Sequence, residues 1–473
     1  MRDFPENKIF LSFFLLIIVV GNGLLNYSLS NLCITIPQII IVFFFIARND
    51  ISSATFWHFI FIILSYTYYD LGGLHEGEEL ISYNYAKLRV LSIPISFVVS
   101  CIILLICYSK NDKNYVTRKD TDFYHLFLMI KTFLFLGVGF GLFGLALGKY
   151  YIKGFIQYGS YGLILFINAL ILLKLFNSDL KDRFYDIIPL LLSICLLVKF
   201  VFIFSASEIS DSTSFVYYSV LFLPLVFYVR RYVWPICFFA LYVIMQAYVS
   251  SGKEIIDIII ILVCVIILSF NKKISKIFPT RCAFVRGIIF VFFIISPIVL
   301  VVLTNLSSSA TNLSYKIHQV QTLFAFSSQK ISLLSVDGSP YIRIASIANI
   351  LHEGLINPLF LLFGHGYGGY YTDSLTLLSN INLNLSAFAE DAIVSGHFYT
   401  GHDTIVVVPF LHGLFGFGYI LYVAFLFLKK ASENYLKFAA IPFLLLVFYF
   451  DTLLGISGLV LLYASEHKVR NLV

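Results

Sequence analysis

Charge is what this chain most lacks. Asp, Glu, Lys and Arg make up only 12% of its 473 residues, about half the share found in an average soluble domain. Apolar types make up 59%, among them 50 Phe and 31 Tyr, and no soluble fold could cover that much greasy surface. A secreted, cytosolic or disordered protein is therefore excluded. Sustained apolar–polar alternation is missing too, which excludes the lipid-facing strands of a β-barrel. The seven cysteines form no CxxC pair and none lies in the long segment 305–403, so neither a disulfide framework nor a zinc site is expected. No small-residue cleavage site follows IFLSFFLLIIVV, so residues 9–26 are read as a retained span rather than a signal peptide. No internal repeat points to an inverted-repeat transporter.

What remains is an all-α, polytopic membrane protein with about 12–14 transmembrane helices and one large outer loop. Apolar runs place spans at 9–26, 32–47, 54–69, 90–108, 124–147, 155–176, 187–205, 214–229, 232–249, 255–270, 287–304 and 404–428. Residues 438–464 follow, as one long helix or as two short ones broken near Asp451 and Gly455. With the N-terminus inside, twenty-one Lys and Arg fall in inner segments and five in short outer loops, the bias expected of cytoplasmic loops. Lys468 and Arg470 put the C-terminus inside and favour the two short helices. The chain thus divides into N-terminal spans (1–304), a large loop (305–403) and C-terminal spans (404–473). Lys131, Lys199, Asp257 and Asp451 lie within apolar runs, either paired structurally or functional.

A loop of about a hundred residues among short ones is where function is most readable. Within it, Tyr341–Leu355 has helical spacing, with Ile344, Ile347, Ala348, Leu351 and Leu355 as an apolar stripe. Asn357-Pro358 marks the stop. Gly354 is either the C-terminal cap or a bare backbone that a substrate or another helix approaches. Arg343, on the same side of that helix, either makes a structural salt bridge to Glu353 or Glu390, or snorkels to headgroups, or clamps a diphosphate bidentately. GHGYGGYY at 364–371 lacks the Lys-Ser/Thr ending of a P-loop, so no nucleotide site is expected. Tyr367, Tyr370 and Tyr371 are either a sugar-stacking platform or interfacial anchors. Glu390, Asp391, His397, His402 and Asp403 cluster before the next span. His402 is either a polar cap or a proton-transfer group. His397 and His402 lack the Glu of HExxH, which leaves a zinc site weakly supported.

Many spans, a large outer loop near the C-terminus and the Arg-x10-Gly pattern of Arg343 and Gly354 resemble the bacterial O-antigen polymerases of the Wzy type. HDTIVVVPFLHGLFGFGYILY resembles the end-of-loop block shared by these polymerases and the O-antigen ligases, and NPLFLLFGHGYGG resembles another family piece. The likeness covers about 80 residues well and the rest only as hydropathy.

The resemblance implies a glycosyltransferase of the bacterial inner (cytoplasmic) membrane, with a periplasmic active loop. It moves a glycan from undecaprenyl diphosphate onto the terminal sugar of another lipid-linked repeat unit. Arg343 is assigned to the leaving diphosphate, with Gly354, His365 and Tyr367 as further substrate-binding candidates. His402 is the base, oriented by Asp403 or Glu390. No cofactor, metal or nucleic-acid partner is called for. The implied partners are the lipid-linked oligosaccharides, membrane lipids, a chain-length regulator and a flippase. The alternatives are an O-antigen ligase, which the His-Asp at 402–403 argues against because ligases usually carry His-Asn there, a lipid-linked oligosaccharide flippase, which would have short loops, and a non-enzymatic receptor or scaffold.

Overall fold

The computed structural model describes residues 8–25, 28–65, 83–90, 93–109, 121–176, 179–188, 190–191, 194, 339–379, 388, 390–401, 404–431, 434–449 and 452–467. The spans read at 214–229, 232–249, 255–270 and 287–304 lie outside these residues, as do most of 187–205, the loop's first part (305–338), Lys199, Asp257 and Asp451.

Among the described residues, four helices are long and apolar enough to cross a bilayer: Leu29–Ala47, Asp122–Ala146, Ile152–Lys174 and Thr404–Lys429. The chain is built as a multi-pass helical membrane protein. In order, the helices are α1 (Lys8–Leu25), α2 (Leu32–Ala47), α3 (Ile51–Leu64), α4 (Ile95–Ser109), α5 (Asp122–Ala146), α6 (Ile152–Lys174), α7 (Ser339–Ile356), α8 (Pro358–Phe363), α9 (Glu390–Ser395), α10 (Thr404–Lys429) and α11 (Thr452–Ala464). Residues 179–188 are also helical.

Local chemistry sets the boundaries. Asp50 accepts the Ser53 N–H and starts α3, and Thr121 does the same for α5 through Tyr124. The span read from residue 90 begins later, at Ile95. Arg89–Val90 (β1) and Ile93–Pro94 (β2) pair first as a short antiparallel ribbon. Pro94 lacks an N–H, which suits the residue just ahead of a helix.

Polar groups buried among α3, α4 and α6 satisfy one another. His58 bonds the Tyr85 hydroxyl at 2.8 Å through Nδ1 and the Ser100 hydroxyl at 2.9 Å through Nε2. Ser100 lies 3.0 Å from Asn168 Oδ1. Buried as they are, these groups would each carry a desolvation cost without such pairing.

The C-terminal region takes the two-helix form. A mixed helix over 435–447 ends in a π-helical turn, Phe443–Val447, and α11 returns from Thr452. The far ends of the two meet where Asn434 Nδ2 donates to the His467 carbonyl at 3.0 Å. The pair is thus a hairpin. Tyr449 stands at its tip, against the start of α10, and its N–H donates to Thr404 Oγ1.

The end where Asn434 and His467 meet is also a charged end of the bundle. Asp122, 2% exposed at the start of α5, accepts from Lys430 at 2.8 Å and from Lys437 at 2.5 Å. Lys437 also reaches Glu466 at 3.4 Å, and His467 Nδ1 meets Asp182 at 2.6 Å. Residues more than three hundred positions apart in sequence are thereby tied at one face. The α5–α6 turn and the start of α10 lie at the other.

Candidate functional site

The site is built on α7 and on the segment that follows it. The apolar stripe Ile344, Ile347, Ala348, Leu351 and Leu355 is partly or fully exposed, and the opposite face is turned inward. That inward face carries Tyr341, Ser346 and Asn349, all buried, and the half-buried Glu353, at helical spacing. A helix bordered by hydrocarbon turns its apolar side outward and keeps its polar side for protein contacts.

Those polar groups hold segment 371–378 rung by rung. Tyr341 donates to the Leu377 carbonyl at 2.8 Å, and the Tyr371 hydroxyl donates to Ser346 at 2.9 Å. Asn349 donates to Asp373 at 2.9 Å and accepts the Leu375 N–H at 3.0 Å. Glu353 Oε1 accepts both the N–H and the hydroxyl of Thr372, at 2.7 and 2.6 Å. Tyr371–Thr372 (β3) then pairs with His397–Phe398 (β4).

Asp373 closes the turn by accepting the N–H groups of Leu377, Leu378 and Ser379. Burial pushes its carboxyl up, but the hydrogen bonds from Leu378, Ser379 and Asn349 outweigh it and hold the group below its usual value. A lowered carboxyl pKa stabilises the folded turn fully above the unfolded value of about 3.9, and that contribution fades as pH falls below it. Limited proteolysis at 373–379 is therefore expected to be slow at pH 5 and to accelerate below about pH 4, and Asp373→Asn should cleave readily at both.

His365 sits beyond this ladder, 4% exposed, stacked on Phe360 at 4.2 Å and tilted against Phe410. Burial lowers its pKa to about 4, so the imidazole is neutral at pH 7. Its Nε2 finds no hydrogen-bond partner, and Glu353 Oε2 lies 3.7 Å away. At that distance and with a neutral ring the two are in contact without forming an ion pair.

The loop reaches this position because α10 is broken. Gly413 has φ 62° and ψ −162°, which interrupts the helix and releases carbonyls in the turn before it. The Phe410 carbonyl accepts the His365 N–H at 2.8 Å, and the Leu411 carbonyl accepts the Gly366 N–H at 3.0 Å. Non-helical backbone inside a span is tolerated when another part of the protein satisfies it in this way.

Tyr367 follows as a wedge between α5 and α6. Its N–H donates to the Gly137 carbonyl at 2.9 Å, and its ring fills the space a side chain at Gly137 or Gly162 would occupy. Its hydroxyl lies 3.2 Å from that of Tyr449, which lies 3.2 Å from His412 Nε2. Phe133 stacks on His412 at 4.3 Å.

The residues singled out from the sequence are thus distributed unevenly. Arg343 is half-buried in the second turn of α7. Gly354 does not cap α7, which runs on to Ile356. A Cβ added there would stand 3.1 Å from Leu361 of α8, so the close approach is by another helix. Tyr367 and Tyr371 are fully buried, and only Tyr370 of the three tyrosines keeps an accessible face. Glu390 is exposed at the start of α9. His402 and Asp403 lie outside the described residues, between Gly401, whose N–H donates to the Tyr158 hydroxyl, and Thr404. From sequence Glu353 enters only as a partner for Arg343, although the 346–349–353 spacing of polar residues marks it as part of the inward face. No family model, curated protein or solved structure matches the chain.

Proposed function

We propose that the chain is a membrane-embedded glycosyltransferase of the O-antigen polymerase kind, acting at the outer face of the bacterial inner membrane. The observation that carries the reading is the docking of 364–371 into a broken span, toward the end of the bundle opposite the Lys430–Lys437 cluster. A lipid-linked donor brings its diphosphate to that level of the bilayer. The leaving group is already good, so neutralising its charge matters more than protonating it. Arg343 is assigned that task, because guanidinium pairs bidentately with phosphate oxygens. The acceptor hydroxyl attacks the anomeric carbon, the bond to the diphosphate oxygen breaks, and the hydroxyl proton passes to His402, oriented by Asp403 or Glu390. Glu353 and His365 fix the loop beside Arg343's helix.

Purified protein in nanodiscs, supplied with synthetic lipid-linked repeat units, is expected to make polymer. Arg343→Ala and His402→Ala should each reduce the rate by about a hundredfold or more. Normal polymer yield from both variants would remove this assignment. Transfer to lipid A–core in place of chain growth would favour a ligase, and movement of intact units across the bilayer without bond formation a flippase.

A further inference from the structure

A second group of side chains, apart from Glu353 and His365, gathers where the α5–α6 turn meets β4. Tyr370 and His397 lie ring to ring at 4.2 Å, tilted by 35°. Tyr151 stands edge-on to Tyr370 at 5.6 Å, and its hydroxyl lies 2.9 Å from His397 Nδ1. Beside them the Tyr399 hydroxyl donates to Asp391 at 2.7 Å, and Lys153 reaches the same carboxylate at 3.3 Å. Asp391 and Lys153 are exposed, whereas Tyr399 is buried and fixes the carboxylate from below.

We propose that this surface cluster binds a neutral pyranose of the acceptor glycan. A pyranose offers an apolar C–H face and a rim of hydroxyls. Tyr370 and His397, packed ring to ring and each partly exposed, supply aromatic ring surface for the first. Asp391 and Lys153 supply an acceptor and a donor for the second, with charge-assisted hydrogen bonds. Asp391 keeps lone pairs beyond those used by Tyr399, since a carboxylate accepts about four hydrogen bonds. The adjoining acid and base leave no net charge to select an anionic ligand. The proposal rests on the glycan-handling part of the function above, but it concerns binding rather than bond formation.

The test uses full-length protein in nanodiscs and the oligosaccharide released by mild acid from the source cell's lipid-linked glycan pool, followed by calorimetry and saturation-transfer NMR. Wild type should bind it. Tyr370→Ala and Asp391→Asn should each weaken binding about tenfold, and Tyr370→Phe, which keeps the flat ring, should stay within about twofold. Arg343→Ala should bind the released sugar normally while failing to polymerise. Binding unchanged in Tyr370→Ala and Asp391→Asn, or absent in wild type up to about 10 mM, overturns the proposal. Sugar binding that follows this pattern with no polymer from lipid-linked units would instead leave this site standing and remove the glycosyltransferase reading.

Discussion

Gly413→Ala and Gly364→Ala are each expected to destabilise the protein by about 3 kcal/mol or more and to release the loop from the bundle. Gly413 (φ 62°, ψ −162°) and Gly364 (φ 72°, ψ −175°) both occupy backbone conformations reserved almost wholly for glycine. They also face each other's backbone. A methyl at Gly413 would lie 2.5 Å from the Leu362 carbonyl, and one at Gly364 would collide with the Leu411–His412 peptide. Neither obstacle is the end of a flexible side chain, so neither can swing aside. The measurement is thermal unfolding of purified protein together with protease sensitivity of 364–379. An apparent Tm within about 1 °C of wild type, with the loop still protected, would show that the break in α10 is not held by these contacts.

Asp122→Ala is expected to cost about 3–5 kcal/mol, because it leaves Lys437 charged and buried without its closest partner. Lys437 is 3% exposed, and its remaining carboxylate, Glu466, is 3.4 Å away. Lys430 is more exposed and can turn to water, so Lys430→Ala should cost about 1 kcal/mol or less. The triple variant Asp122→Asn, Lys437→Met and Glu466→Gln removes all three charges that meet at Lys437 and should recover much of the loss. Equal effects of the Lys430 and Lys437 substitutions would show that burial does not govern this network.

Some of this is legible in the sequence, and the rest is hidden for identifiable reasons. α7 is readable to within two residues at either end, since the expected Tyr341–Leu355 is observed as Ser339–Ile356 and Asn357-Pro358 marks the stop. Its orientation is harder to read, because an apolar stripe faces inward in water and outward in lipid, and periodicity alone does not name the solvent. The break in α10 is hidden because Pro409 and Gly413 occur in an otherwise apolar run, and only the loop's N–H groups give the freed carbonyls a partner. Tyr367 reads as a surface aromatic because the glycines that admit it lie far away on α5 and α6. Asp391, next to the more conspicuous Glu390, is the acid that Tyr399 engages.

The wedge also constrains how the molecule is assembled. Gly137 and Gly162 enter the bilayer with their groove unfilled, and the ring that fits it is made about 200 residues later. Until Tyr367 arrives and α10 supplies its released carbonyls, α5 and α6 have bare backbone facing lipid or a transient neighbour. Maturation of the bundle is therefore a late event, completed only when the last third of the chain has left the ribosome.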